Sequence, residues 1–135
     1  MKKIVYSLVI LCAFLGAWMY LPSSTNQAAL NTKFSDENIR MEIVSNQQVA
    51  KVMHENSFSL TLTDLAGKPL DQPDMKVSLE MPSMFCGVIP TTLNEVEPGK
   101  YNIIGIPVMS GKWEATVTLV TPTETLHVKH PFISK

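Results

Sequence analysis

Apolar and polar side chains alternate without interruption in the stretch Met75-Lys76-Val77-Ser78-Leu79-Glu80-Met81 of this 135-residue chain. A period of two sends successive side chains to opposite faces of an extended backbone, which is typical of a β-strand with one face in a core. The predicted inward face of this strand consists of Met75, Val77, Leu79 and Met81.

The same period recurs on both sides of this stretch. The clearest further faces are Phe58, Leu60 and Leu62; Trp113, Ala115, Val117 and Leu119; and Leu126, Val128, His130 and Phe132. Further strands are predicted over residues 40–44 and 101–108, and a weaker one over residues 91–96. Pro98-Gly99 fits a type II turn, and Ser110-Gly111 indicates a hairpin. About seven short strands with turn signals every 8–12 residues favour an all-β fold, an antiparallel β-sandwich of immunoglobulin-like size.

The first 21 residues have a different character. Lys2 and Lys3 are followed by 18 uncharged, mostly apolar residues from Ile4 to Leu21. As a helix they would span about 27 Å, close to the thickness of a bilayer's hydrocarbon core. Residues 1–21 are therefore predicted to be an uncleaved signal anchor, a single N-terminal transmembrane helix in the cell membrane. Because positive flanks stay in the cytoplasm, the C-terminal part is predicted on the exported side.

Two other interpretations of this segment fit less well. A cleavable signal peptide needs small residues at the −3 and −1 positions, which neither Leu15-Gly16-Ala17 nor Asn26-Gln27-Ala28 provides. A lipoprotein needs a small residue before the modified cysteine, whereas Cys12 follows a leucine inside the apolar run. Residues 22–38 are polar and lack periodicity, which predicts a linker, and residues 39–135 are predicted to be the β-sandwich domain.

Charge and motifs exclude several classes of function. After Lys3 the chain has nine basic and twelve acidic residues and no basic cluster, so nucleic-acid binding is not expected. The sequence lacks His-Glu-x-x-His, Gly-x-Ser-x-Gly and Cys-x-x-Cys, the patterns of zinc proteases, serine hydrolases and thiol-redox proteins. We therefore predict a protein without enzymatic activity.

Residues 58–120 resemble the YtkA-like domain family. The matching pieces, in order, are Gly67-Lys68-Pro69, Met81-Pro82-Ser83-Met84, Pro98-Gly99-Lys100-Tyr101 and Met109-Ser110-Gly111-Lys112-Trp113-Glu114. The chain is similar, more distantly, to FixH-type membrane-anchored proteins linked with copper-dependent cytochrome oxidase assembly. The resemblance implies a small exported β-sandwich tethered by a lipid or by one membrane helix. Family members often continue Met-Pro-x-Met into glycine and histidine, where this chain has Phe85-Cys86-Gly87.

The densest group of soft metal ligands follows the strand over residues 75–81. Met81, Met84 and Cys86 have the spacing Met-x-x-Met-x-Cys, and Met109, which follows the strand predicted over 101–108, is the candidate for a fourth sulfur. Thioether and thiolate sulfurs select Cu(I). The sequence therefore predicts a Cu(I) site, with a function in binding copper or delivering it to a membrane complex such as a cytochrome oxidase.

Packing offers a second explanation for the same residues. Met81 continues the inward face of its strand, and methionine is a common filler of cores. Cys86 has no adjacent cation that would make it reactive, so it also fits a buried, inert thiol. The histidines have no metal-ligand spacing, and His130 fits a satisfied histidine at the edge of the core. The alternative function is a structural or interaction module that docks a membrane complex, and thiol-redox chemistry is a third.

Overall fold

The computed structural model describes residues 30–70, 72–84 and 87–135. These residues form nine β-strands in two antiparallel sheets. In chain order the strands are β1 (Asn31–Ser35), β2 (Ile39–Ser45), β3 (Asn56–Asp64), β4 (Asp74–Glu80), β5 (Ile89–Pro90), β6 (Thr92–Glu97), β7 (Lys100–Gly105), β8 (Gly111–Val120) and β9 (Thr125–Ser134). The all-β prediction is confirmed for this part of the chain.

The two sheets enclose one core as a sandwich. The first sheet has the strand order β1-β2-β3-β7-β6, and the second has the order β5-β4-β8-β9. Without the short edge strands β1 and β5, these orders match strands A-B-E-D and C-F-G of an immunoglobulin constant-type domain. The prediction of about seven strands therefore describes this common core, and the structure adds one edge strand to each sheet.

The alternating stretches supply the core between the sheets. Val77 and Leu79 of β4 lie opposite Val117 and Ala115 of β8, and all four side chains are buried. The facing sheet and β9 contribute Met41, Ile43, Phe58, Leu60, Leu62, Tyr101, Ile103, Val128 and Phe132. Burial of one such aliphatic or aromatic side chain is worth roughly 1.5–3 kcal/mol. The predicted inward faces therefore stabilise the sandwich.

A strand lies inside the segment that was expected to be a linker. β1 occupies Asn31–Ser35 and pairs antiparallel with β2, where Phe34 lies opposite Met41. Every second residue of β1 is exposed, so its composition is mostly polar. An edge strand with one face in water needs few apolar residues, which is why the pattern of a linker and that of this strand look alike. The folded domain therefore begins before residue 39.

The connection between β7 and β8 is not the hairpin predicted from Ser110-Gly111. β7 ends at Gly105, and β8 belongs to the other sheet. Pro107 lies buried between the two strands and has no N–H with which to continue a sheet ladder. The strand predicted over residues 101–108 is therefore shorter, and residues 106–110 cross from one sheet to the other.

The turn between β6 and β7 has the predicted glycine geometry. Gly99 has a φ of +73°, close to the value that the third position of a type II turn requires. Its carbonyl accepts a hydrogen bond from the Leu62 N–H at 2.8 Å. A Cβ at residue 99 would lie 2.7 Å from the Leu62 carbonyl oxygen, so only glycine fits this close approach.

A buried histidine joins the two sheets along one side of the sandwich. The ring nitrogens of His130 on β9 lie 2.8 Å from Thr32 Oγ1 on β1 and 2.7 Å from Ser45 Oγ on β2. The Phe58 ring meets the imidazole edge to face at 5.8 Å. Burial lowers the pKa of His130 to about 4, so at neutral pH one ring nitrogen donates and the other accepts. The prediction of a satisfied histidine in the core is confirmed.

The N-terminal predictions fall outside this description. Among the residues that the structure describes, none belongs to a helix with the length and hydropathy that a bilayer crossing requires. The signal anchor over residues 1–21 and residues 22–29 of the expected linker lie outside the described residues, and they stay predictions.

Candidate functional site

The predicted ligand stretch begins where β4 ends. Directly after Glu80, the Met81–Met84 segment forms a turn in which the Met84 N–H donates to the Met81 carbonyl at 3.2 Å. Pro82 and Ser83 occupy its centre and are exposed. Because the proline ring fixes its own φ, this turn starts from a restricted backbone. The turn therefore places the exposed Met84 three residues after the buried Met81.

Met81 is a core side chain, as the alternation of β4 predicts. It is 7% exposed and belongs to the cluster of buried apolar residues. Its methyl group reaches the first residue of β8, because a Cβ built on Gly111 would lie 2.8 Å from Met81 Cε. Gly111 also has a φ of +144°, a conformation that favours glycine. The glycine therefore makes room for the end of Met81.

Met109 lies in the connection from β7 to β8. It is half-buried and packs against the core, and its carbonyl accepts a hydrogen bond from Trp113 Nε1 at 2.9 Å. β4 and β8 pair as far as Glu80 and Glu114. The connection that carries Met109 therefore enters β8 beside the Met81–Met84 turn.

The structure thus brings three of the four predicted ligands to the same end of the sandwich, in two adjoining loops. They differ in exposure, since Met81 is 7% exposed, Met109 is half-buried and Met84 is 51% exposed. Cys86, the fourth, lies outside the described residues. Within those residues, no group of three or more His, Cys, Asp or Glu side chains is placed to hold a metal ion.

A third loop at this end escaped the sequence-based prediction. Residues 46–55 connect β2 and β3, and the Met53 N–H donates to the Pro107 carbonyl at 2.8 Å. The buried Asn56 side chain holds the loop, because it accepts from the Lys51 N–H and donates to the carbonyls of Lys51 and His54, each at 2.8 Å. The available signal was an asparagine at the start of an alternating strand, since such side chains often bond nearby backbone.

Exposed apolar side chains concentrate where these three loops meet. Among the described residues, ten large apolar side chains are exposed, and seven of them lie here. These seven, which we term the apolar loop end, are Leu30, Val49, Met53, Met84, Val88, Ile106 and Val108. Contiguous exposed apolar surface often marks a site of interaction.

Charge also differs between the two ends of the sandwich. Next to the apolar loop end, the loops and strand termini carry Glu55 and Glu80 against Lys51, Lys112 and Lys135. The opposite end, termed the acidic end, carries Asp36, Glu37, Asp64, Asp74, Glu95, Glu97 and Glu124 against Arg40, Lys68, Lys76 and Lys100. A hydrogen bond from Lys100 at 2.6 Å lowers the pKa of the Glu97 carboxyl. The domain therefore has one apolar, weakly basic end and one acidic end.

The fold of this chain is shared with solved structures. No protein-family model matches the sequence, and no curated protein matches it. The Lin-41 filamin domain has a TM-score of 0.52 at 13% identity, with 80% of this chain and 94% of that chain covered. A DUF4426 family protein from Pseudomonas aeruginosa has a TM-score of 0.54 at 11% identity, with 77% and 94% covered.

The chain has an immunoglobulin-like fold. A DUF4785 family protein from Legionella pneumophila is also similar, with a TM-score of 0.53 at 11% identity, and this chain covers 29% of it while 71% of this chain is matched. At such identities the likeness concerns the fold alone. The resemblance to YtkA-like and FixH-type proteins rests on sequence motifs and stays a prediction.

Proposed function

We propose that this chain is a non-enzymatic binding module, tethered to a membrane by residues 1–21, that binds Cu(I) at the Met81–Met84 turn. One observation carries the proposal. The pairing of β4 with β8 sets this turn beside the connection that holds Met109, although the two are far apart in sequence. Soft sulfur ligands from separate parts of the chain therefore share one end of the domain.

The exposures of these methionines suit an exchangeable site. Met81 and Met109 pack against the core, which limits their conformational freedom, while Met84 is half exposed and open to a partner. Thioethers bind Cu(I) as soft, uncharged ligands, and Cys86 would add a thiolate. Transfer of copper to a second protein requires a ligand that stays accessible, as Met84 does. Delivery to a membrane oxidase, which the family resemblance implies, is part of the proposal.

Loss of Cu(I) affinity is the expected result of combining Met84→Leu with Cys86→Ser. Competition of the detergent-solubilised full chain against a chromogenic Cu(I) chelator, without oxygen, measures it. We expect affinity to fall at least about tenfold, or about 1.4 kcal/mol. Met75→Leu is the matched control, because Met75 lies on the inward face of β4 near the acidic end, away from the turn. Equal affinities of the wild type and the double variant would remove the copper proposal.

A second candidate is an interaction module, and a groove at the acidic end favours it. The groove has a volume of about 740 Å³ and is open to solvent. Its lining includes the apolar residues Ile39, Leu70, Leu119 and Val120 and the acidic residues Asp36, Asp74 and Glu124. An apolar floor with a negative rim complements a basic, partly apolar segment of a membrane complex.

Val120→Glu is expected to abolish retention of such a partner, because it places a carboxylate on the apolar floor of the groove. Affinity purification of the tagged full chain from native membranes measures the retention. Val96→Glu is the matched control, since Val96 is also an exposed valine but does not line the groove. A wild-type population that is monomeric and free of other membrane proteins would contradict this candidate.

A further inference from the structure

The apolar loop end is also the end at which the chain enters the domain. Leu30 is the first described residue of the chain, and its carbonyl accepts a hydrogen bond from the Ser45 N–H at 2.9 Å. Eight residues separate Leu30 from the end of the apolar N-terminal segment at Leu21. Even fully extended, eight residues span at most roughly 29 Å. A tether in residues 1–21 would therefore keep this end near the bilayer.

The acidic end lies a full strand length farther from that attachment. β8 has ten residues and runs from the apolar loop end to the acidic end. At about 3.3 Å per residue it separates the two ends by roughly 33 Å. The tether thus favours an orientation in which the three loops with exposed apolar side chains face the bilayer.

The charges of the domain support the same orientation. Lys51 and Lys112 are exposed beside the apolar loop end, and no ion pair of the described residues involves either of them. The carboxylates at this end are Glu55 and Glu80, the last residue of β4, whereas Glu114 opposite Glu80 is paired with a lysine at 2.8 Å. The acidic end carries more carboxylates than this one. Anionic headgroups attract lysines near the surface and repel carboxylates. The acidic end is therefore expected to point away from such a membrane.

We infer that the apolar loop end rests on the surface of the bilayer, with Met53, Met84, Val88, Ile106 and Val108 among anionic headgroups. Their side chains come from three separate loops, so the contact is a patch shared by several loops and does not depend on one of them. The inference rests on the tether in the proposed function and is independent of copper. It implies that Met84 is presented at the membrane surface.

Val88 and Val96 provide a matched pair for testing this contact. Both are exposed valines, at 64% and 62%, and they lie toward opposite ends of the sandwich. The full-length chain with Val88→Trp or Val96→Trp is reconstituted into phosphatidylglycerol vesicles, with or without brominated acyl chains. We expect brominated lipid to quench the fluorescence of the tryptophan at residue 88 and to leave the fluorescence of the tryptophan at residue 96 unchanged. The native tryptophans are common to both variants and cancel in the comparison.

The charge argument has its own variants. Lys51→Glu with Lys112→Glu, added to Val88→Trp, is expected to reduce quenching in phosphatidylglycerol vesicles more than in phosphatidylcholine vesicles. Lys68→Glu with Lys76→Glu is the control, because these lysines lie in the loop before β4 and near the start of that strand, toward the acidic end. Equal quenching at residues 88 and 96, or no quenching at either, would overturn the inference.

Flotation of the vesicles separates the inference from the tether. If the chain floats with the vesicles but the tryptophan at residue 88 is not quenched, the result supports the tether and contradicts the surface contact. If the chain does not float, the tether and the contact both fall, while the Cu(I) titration is unaffected. Quenching at residue 88 alone, reduced by the Lys51 and Lys112 variants, supports the contact.

Discussion

Between pH 7 and pH 4, the free energy of unfolding is expected to fall by about 3 kcal/mol through His130 alone. Burial holds the pKa of this histidine near 4 in the folded chain, against 6.5 when unfolded. As pH falls below 6.5, the unfolded chain takes up a proton that the folded chain accepts only near pH 4. The stabilisation is therefore complete above pH 6.5 and is lost progressively toward pH 4. Each pKa unit corresponds to about 1.4 kcal/mol.

Urea unfolding of the full chain in a non-ionic detergent, followed by circular dichroism at several pH values, measures this loss. His130→Gln retains hydrogen-bonding groups for Thr32 and Ser45 but does not titrate, so its stability is expected to change less over the same range. His127→Gln is the control, because His127 is exposed on the same strand. Parallel pH profiles for the wild type and His130→Gln would show that another group causes the fall.

The same histidine shows how far the sequence predicted the fold. A period of two placed His130 on the inward face of β9, and the structure confirms that position. Its partners Thr32 and Ser45 were not predicted, because Thr32 lies in the polar segment expected to be a linker. β1 is an edge strand that forms by pairing with β2. The composition of residues 31–35 gives little indication of this pairing.

The candidate site was predicted from local spacing, and its surroundings come from the topology. Met-x-x-Met-x-Cys is visible in the sequence, but the approach of Met81 to Gly111 depends on the pairing of β4 with β8. The predicted hairpin at Ser110-Gly111 fails for a related reason. The apolar alternation on either side of these two residues looks the same in both cases, whether the chain returns within one sheet or crosses to the other sheet. Asn56 indicates that the loop over residues 46–55 is held, but not that it joins the site, which it does through the hydrogen bond from the Met53 N–H to the Pro107 carbonyl.

Trp113→Ala is expected to lower the free energy of unfolding by about 3–5 kcal/mol, the usual loss for truncation of a buried aromatic residue. Trp113 is 1% exposed, and its ring stacks on that of Phe132 with 6.4 Å between centroids. The indole also holds the connection that carries Met109, through Nε1. Urea unfolding followed by circular dichroism measures the loss, since the signal of the β-sheets does not depend on this tryptophan.

Trp113→Phe separates the packing of the indole from its hydrogen bond. Phenylalanine retains an aromatic ring against Phe132 but leaves the Met109 carbonyl without its donor, for which we expect a loss of about 1–3 kcal/mol. Amide hydrogen exchange in residues 106–110 should then rise more than exchange in the strands, because the lost bond anchors that connection. If Trp113→Phe destabilises as much as Trp113→Ala, the hydrogen bond and not the ring area determines the stability. In that case, the loop that carries Met109 is coupled to the whole sandwich, and a ligand bound at the loop end would stabilise the entire domain.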